Sequence, residues 1–418
     1  MRKKLLAGML ALALCSTNMP LQTIFAGEFT SGNPDVVSEE DTPEIFTNEE
    51  QEAAGETNED LFVFSSEEVP EFNDTPDETM AAAENARIKE IDLINSTEVK
   101  NGAYTISSAG DYKFTCSNSQ ETANRIVVNG DTILEQDNIN IYLDNVNIKT
   151  SADPALQIQS SVQAQVYIYL EGINNLNSEW QAALQKDNTA KLTIDNSPNT
   201  TGELIATGIF GAGIGGGRGN TGSNITISGG SVTATSSLGA GIGGSQGNTG
   251  SNITISGGSV TATSSLGAGI GGSQGNTGSN ITISGGSVTA TSSFGAGIGG
   301  GSNGGTGSDI TINGGSVKAT SGSGAGIGGG NNRGTGSDIT ISGGSVTATS
   351  SFGAGIGGGS DGGTGSDITI SGGSVTATSS FGAGIGGGSD GGTGSNITIS
   401  GGSVKAYSDR MPGINCTP

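Results

Sequence analysis

The architecture of this chain follows from residues 225–244, which read ITISGGSVTATSSLGAGIGG. Three short runs in this stretch alternate apolar with small or polar residues, the period-two pattern of β-strands. Alternation sends Ile225, Val232 and Ile242 to one side of the backbone and the intervening threonines to the other. The glycine pairs between the runs predict sharp turns with positive φ. The unit therefore predicts three strands wound around an apolar interior.

This unit repeats along the second half of the chain at intervals of 28 and then 29 residues. A fixed period of this size is typical of a solenoid, whose units cannot bury their apolar side alone and must stack. Stacking would place like residues in columns at the strand spacing of about 4.8 Å. We predict an all-β fold, a right-handed parallel β-helix of about ten coils with three short strands per coil. The alanine of the GAGIGG run marks the repeats at Ala212, Ala240, Ala268, Ala296, Ala325, Ala354 and Ala383.

The segments before the repeats differ in composition. Residues 1–26 have a basic start, a short apolar run and Ala26 at the end, which predicts a cleaved secretory signal peptide. Residues 27–85 are predicted to be a disordered acidic linker, because 18 acidic and no basic residues lie between Glu28 and Glu78.

Two β-helical segments are predicted after the linker. Residues 86–207 contain alternating apolar runs without the exact repeat and predict irregular coils with an N-terminal cap. Within them, Ala103 to Phe114 reads as an edge hairpin or cap. Residues 208–418 hold the Gly-rich repeats of period 28–29.

Composition excludes several classes of function. The 418 residues include 76 glycines and no histidine, and the net charge is −24. A chain without histidine has no imidazole base and no His-ligated metal. The negative net charge argues against a nucleic-acid partner, because nucleic-acid phosphates require a basic surface. No segment is apolar over the length that a transmembrane helix needs. With the predicted signal peptide, this favours a secreted or cell-surface protein.

One position at the start of the first strand in each unit carries Asn or Asp. It is Asp in three consecutive units, at Asp309, Asp338 and Asp367. Stacked carboxylates about 5 Å apart repel one another unless they are solvated or bridged, so weak Ca²⁺ binding is one interpretation. The other is an Asx turn into the strand, which Asn and Asp serve equally. No other cofactor is predicted.

Outward threonines form the largest ordered surface that the repeat predicts. Such an array suits hydroxyl contacts with a polysaccharide or ordered water on ice, although Thr is also simply a favoured residue on exposed strands. One column consists of Thr226, Thr254, Thr282, Thr311, Thr340, Thr369 and Thr398. A second column, on another face, includes Thr233, Thr261 and Thr289.

No catalytic constellation stands out. A β-helical polysaccharide lyase would need clustered acids beside a basic residue, whereas residues 209–406 contain five acids and four bases, spread along the repeats. We therefore predict that the protein is not an enzyme.

Two cysteines, Cys116 and Cys416, lie outside the leader. If the intervening chain is one stack of coils, they are too far apart for a disulfide, which needs Cα atoms within about 7 Å. Self-association is predicted through the C-terminal coil, either end to end or by a disulfide between copies through Cys416.

The GAGIGGG units, the ITISGGSVTAT runs between them, and the preceding runs NINIYLDNVNI and VYIYLEGINNL together resemble a known group. The chain is similar to the glycine-rich repeat proteins exported by anaerobic Gram-positive bacteria and, more loosely, to the pectate-lyase-like carbohydrate-binding domain family. The likeness covers residues 126–406. It implies a right-handed β-helix that binds plant or cell-wall polysaccharide, sometimes with calcium and without cleavage.

Two principal hypotheses of function follow. The first is a secreted or surface-displayed β-helical protein that binds polysaccharide or host glycan through a flat strand face. The second is a structural or adhesin-type rod whose acidic linker sets its distance from the cell and whose coils bind no small ligand. Ice binding through the threonine columns and polysaccharide lyase activity are the remaining alternatives.

Overall fold

The computed structural model describes residues 21–25 and 88–416, and these residues form a parallel β-helix without α-helices. Strands from successive coils pair in parallel and in register on three faces. The third face alone contains 11 strands, in agreement with the predicted stack of about ten coils. The signal peptide predicted at 1–26 and the linker predicted at 27–85 lie outside the described residues, apart from strand Leu21–Phe25.

Each face has its own set of strands. The first face consists of Lys89–Asp92, Gly110–Thr115, Asn138–Asp144, the first part of Gln165–Ser178, Leu192–Asn196, Gly222–Ile227, Gly250–Ile255, Gly278–Ile283, Gly307–Ile312, Ile339–Ile341, Gly365–Ile370 and Gly394–Ile399. The second face consists of Asn147–Thr150, the last part of Gln165–Ser178, Gly202–Gly208, Ser231–Ser236, Ser259–Ser264, Ser287–Ser292, Ser316–Ser321, Ser345–Ser350, Ser374–Ser379 and Ser403–Ser408.

The strands of the third face become short in the Gly-rich coils. They are Ala103–Ile106, Arg125–Val128, Leu156–Ile158, Leu184–Lys186, Ile214–Gly215, Ile242–Gly243, Ile270–Gly271, Ile298–Gly299, Ile327–Gly328, Ile356–Gly357 and Ile385–Gly386. A single 3-10 turn covers Ser117–Ser119. Strand Leu21–Phe25 pairs antiparallel with Ser403–Ser408 at the edge of the second face.

The predicted interior is confirmed. Ile225, Val232 and Ile242 are fully buried, and each pairs with the same residue type in the next coil. The alternation also turns Ser236 inward, where it is buried and its hydroxyl donates to the carbonyl oxygen of Gly211 at 2.7 Å. Such a bond offsets the cost of burying a polar group, and it recurs in later coils.

Of the two predicted forms of residues 103–114, an edge hairpin or a cap, the hairpin is wrong. Ala103–Ile106 pairs in parallel with Arg125–Val128 on the third face. Gly110–Thr115 instead pairs in parallel with Asn138–Asp144 on the first face. Two alternating runs joined by a short turn look alike whether they form a hairpin or consecutive strands of one coil, so the sequence pattern could not separate the two.

The two cysteines lie at opposite ends of the stack and are not joined in a disulfide. Cys116 is buried directly after a strand of the second coil, whereas Cys416 follows the last strands. The expectation that they do not bridge within one chain is confirmed. Self-association through Cys416 stays a prediction.

The corner glycines have two distinct roles. Gly247 takes a left-handed φ of +77°, and a Cβ there would meet nothing within 4 Å. Gly250 lies three residues further on and lacks a positive φ, yet a Cβ there would collide with the carbonyl oxygen of Gly271 in the next coil. Close approach of neighbouring coils, and not only turn geometry, therefore requires glycine.

Substitution of Gly250 by Ala should lower the melting midpoint far more than substitution of Gly247. The Gly250→Ala methyl group would have to push two coils apart, whereas Gly247→Ala meets open space and costs about 1 kcal/mol of backbone strain. Thermal unfolding of both variants, followed by circular dichroism, compares the two effects. Equal losses of stability would contradict the close-approach explanation.

One lysine lies inside the stack. Lys186 is fully buried, and its Nζ donates to the carbonyl oxygens of Asn188 at 2.9 Å and Ser223 at 2.8 Å. Burial lowers the pKa of Lys186 to about 8, although the neighbouring Asp187 opposes this shift. The ammonium group is thus held by backbone oxygens at the junction between irregular and Gly-rich coils.

The free energy of unfolding should rise with pH because the pKa of Lys186 is lower in the folded chain. The pKa is about 8 in the folded chain and 10.5 ordinarily, so the unfolded chain binds more protons between these pH values. Unfolding therefore becomes less favourable as the pH rises through this window, by on the order of 3 kcal/mol. Lys186→Met should lack this gain. Denaturation midpoints of the two proteins from pH 7 to 11 test the difference, and parallel pH profiles would contradict it.

Candidate functional site

The outward side of the first face carries one continuous column of polar and aromatic residues, which we call the polar column. In the irregular coils its members are Asp111, Asn140, Tyr167 and Thr193, which pair in register. Thr193 then pairs with Thr226, the first member of the predicted threonine column. The remaining members are Thr254, Thr282, Thr311, Thr340, Thr369 and Thr398.

The second threonine column lies on a different face. Thr233, Thr261 and Thr289 belong to strands of the second face and are half-buried or exposed. Lys318 takes the place of threonine in the next coil. The two predicted columns are therefore both present, but the fold does not bring them together into one surface.

The predicted acidic residues do lie beside the first threonine column. Asp309, Asp338 and Asp367 are exposed. Together with neighbouring threonines of the polar column they line an open groove of about 620 Å³. Asn280 and Asn396 close the row of carboxylates at its two ends.

The Asn and Asp residues of this row adopt left-handed backbone φ angles. Values run from 49° at Asn280 to 56° at Asn224, a region that Asn and Asp tolerate better than most residues. Where the row is Asn, the amides form a ladder: Asn252 donates to Asn224 at 2.9 Å and Asn280 donates to Asn252 at 2.6 Å. At the other end Asn396 donates to the carboxylate of Asp367 at 3.0 Å. Ionised carboxylates have no hydrogen to donate, so the three aspartates interrupt the ladder.

The same row was the candidate calcium site. Across residues 88–416, no three His, Cys, Asp or Glu side chains group closely enough to hold a metal ion. The left-handed turn accounts for Asn or Asp at this position without a metal. Calcium binding by Asp309, Asp338 and Asp367 stays a prediction.

A cluster of three tyrosines on the first face was not predicted. Tyr142 and Tyr169 stack with ring centroids 5.0 Å apart, and Tyr167 lies parallel to Tyr169 with centroids 6.1 Å apart. All three are half-buried. The signal was present in the runs NIYL and VYIYL, where alternation turns each tyrosine to the same side as the outward threonines.

Ion pairs and carboxylates border this tyrosine cluster. Lys113 Nζ lies 2.6 Å from the Glu171 carboxylate and 3.1 Å from that of Asp144. Burial alone would lower the pKa of Lys113, but hydrogen bonds to Glu171 and Asp144 outweigh it and raise the pKa. Burial, followed by the proximity of Tyr167, Asp195 and Asp111, raises the pKa of the Tyr169 hydroxyl. Lysine and tyrosine therefore keep their protons at neutral pH.

Trp180 belongs to a separate aromatic corner. It stacks on Phe210 with centroids 4.6 Å apart, and the Arg218 guanidinium lies 5.3 Å from both rings. The ring planes are parallel within 1°, so Trp180 packs its face against a neighbouring coil. Arg410 lies similarly 4.7 Å from the ring of Phe381 at the far end. Aromatic–arginine packing thus stabilises this corner.

The stacked coils form a parallel β-helix, and comparison with known families finds β-helix repeats in its Gly-rich part. The family model described as Beta helix repeat matches residues 202–218, 225–246, 253–274, 281–302, 310–331, 339–360, 368–389 and 397–414. The Gly-rich half is therefore made of β-helix repeats, which supports the pectate-lyase-like fold that the resemblance implies. Searches of curated proteins and of solved structures found no match. No helix within residues 88–416 has the length and apolar character to cross a membrane.

Replacement of Asp338 by Asn should stabilise the protein. The new amide can donate to a neighbouring carboxylate, as Asn396 does to Asp367, and one of three stacked charges is removed. We expect the melting midpoint to rise by about 2 °C. Asp390→Asn, which changes the charge equally but lies outside the row, should not raise the melting midpoint.

The same two proteins test calcium binding. If Ca²⁺ bridges the row, added Ca²⁺ will raise the melting midpoint of the parent more than that of Asp338→Asn, and equal shifts would contradict bridging.

Proposed function

We propose that this protein is exported and binds glycan chains, without cleaving them, through the outward side of its first face. The observation that carries the proposal is the register of the tyrosine cluster with the threonine hydroxyls. Tyr167 belongs to the polar column itself, and Tyr142 and Tyr169 stand beside it. Aromatic rings and hydrogen-bonding groups thus share one ordered surface.

The chemistry of this surface suits sugars. Tyrosine rings supply apolar area for the CH groups of a pyranose, while their hydroxyls and those of threonine hydrogen-bond to sugar hydroxyls. The strands that present these groups are locked by in-register pairing on both sides. Little conformational entropy is therefore lost when a ligand binds.

Binding without cleavage is supported by the state of the Lys113 ion-pair cluster beside the tyrosines. Lys113 is the basic residue nearest to Asp144 and Glu171 in this cluster and is paired with both. Its raised pKa keeps it protonated near neutral pH, so it is a poor base for proton abstraction from a sugar. Export is supported by the leader pattern of residues 1–26.

Retention on insoluble polysaccharides tests the proposal. We expect the protein to be retained on at least one of pectin, cellulose, chitin and peptidoglycan, and the double variant Tyr167→Ala/Tyr169→Ala to bind at least about tenfold more weakly. Trp180→Ala is the control, because it removes a large aromatic side chain from another corner. It should bind like the parent protein.

Two outcomes would argue against glycan binding at this face. Absence of retention on every polysaccharide would leave the structural or adhesin-type rod as the better reading. Retention that the tyrosine variant leaves intact would move the site away from the first face. Ice-shaping activity of the parent protein would instead favour the threonine column as an ice-binding surface.

A further inference from the structure

The charge around the tyrosine cluster identifies the class of glycan, an inference that rests on the proposed function. Asp195 pairs in register with Tyr169 on the neighbouring strand of the first face. Asp111 lies on the other side, two strands from Tyr167 in the polar column. Two carboxylates therefore flank the three phenol rings on one outward surface.

These two carboxylates are held in place, and neither has a cationic partner within residues 88–416. The amide of Asn140 donates to Asp111 at 2.6 Å. Asp195 accepts bonds from the Ser228 hydroxyl at 2.8 Å and from the backbone N–H of Asn196 at 2.7 Å. Neutral donors fix both side chains without cancelling their charge. They are thus preorganised to act on a ligand.

The other charged groups near the tyrosine cluster do not make the net charge of this patch positive. Lys113 is shared between Asp144 and Glu171, and Glu90 pairs in register with Lys113. Lys191 is exposed two residues before Thr193, at the rim of the same face. With these five groups and the two flanking carboxylates counted, the patch remains negative. An acidic polysaccharide would meet repulsion here.

We infer that the glycan bound by the tyrosine cluster carries unacylated amino groups, with an ammonium lying against the rings between Asp111 and Asp195. Aromatic faces attract cations through their quadrupole, and carboxylates beside them add direct attraction. A neutral sugar gains neither the cation–aromatic attraction nor the attraction of the carboxylates. A uronic acid polymer is disfavoured by both.

The test compares three soluble oligosaccharides of equal length by isothermal titration calorimetry at physiological salt and without calcium. They are glucosamine oligomers, fully N-acetylated glucosamine oligomers and galacturonate oligomers. We expect the glucosamine oligomers to bind about tenfold more tightly than the acetylated ones, and the galacturonate oligomers to bind most weakly. Affinity for the glucosamine oligomers should fall as the pH is raised through the pKa of the sugar amine.

Variants separate a defined site from general attraction of cations to a chain of net charge −24. Asp111→Asn should weaken binding of the glucosamine oligomers about fivefold while leaving the acetylated ones unchanged. The chain already contains Asn–Asn contacts of this kind between coils, so the substitution should fold. Asp390→Asn changes the charge equally but lies in the exposed loop after the third-face strand Ile385–Gly386, outside the first face, and should have no effect.

Tyr169→Leu keeps apolar bulk but removes the ring, and it should also reduce the preference for the amino sugar. Equal affinity for acetylated and unacetylated oligomers, or equal effects of Asp111→Asn and Asp390→Asn, would overturn the inference while glycan binding stands. Absence of binding to all three oligomers, together with no retention on any polysaccharide, would overturn the proposed function itself.

Discussion

The in-register stacking of like residues on successive coils is the constraint on which the rest of this structure depends. Parallel pairing places Ile225 over Ile253 and Thr226 over Thr254, so that interior and surface are both set by one register. A slip of one residue would exchange the two sides of a strand and expose its aliphatic residues. Burial of isoleucine and valine therefore fixes where every outward hydroxyl lies.

Glycine makes this close stacking possible. At Gly250 the neighbouring backbone leaves no room for a Cβ, although the φ angle is ordinary. At Gly247 the reverse holds, because space is open and only the left-handed φ requires glycine. The high glycine content therefore reflects backbone contact between coils as well as turns.

Much of the fold could be predicted because the same alternating pattern occurs in several consecutive repeats. Alternation correctly placed Ile225 and Val232 inside and Thr226 outside. Each irregular coil shows its pattern only once, and a single pair of alternating runs, as in Ala103 to Phe114, fits a hairpin and a coil equally well. The tyrosine cluster was overlooked because Tyr142 and Tyr169 are distant in sequence and become neighbours only through the register of two irregular coils.

The division between irregular and repeated coils has a consequence for binding. A column of identical threonines offers every coil the same contacts, so a long ligand could shift by one coil without losing a hydrogen bond. The tyrosines and carboxylates near Tyr169 occur once along the first face, so they distinguish one position of the ligand from the next. On the proposed function, the irregular coils then supply specificity and register. The repeated coils supply length, by extending a uniform hydroxyl surface that adds contacts in proportion to the number of coils.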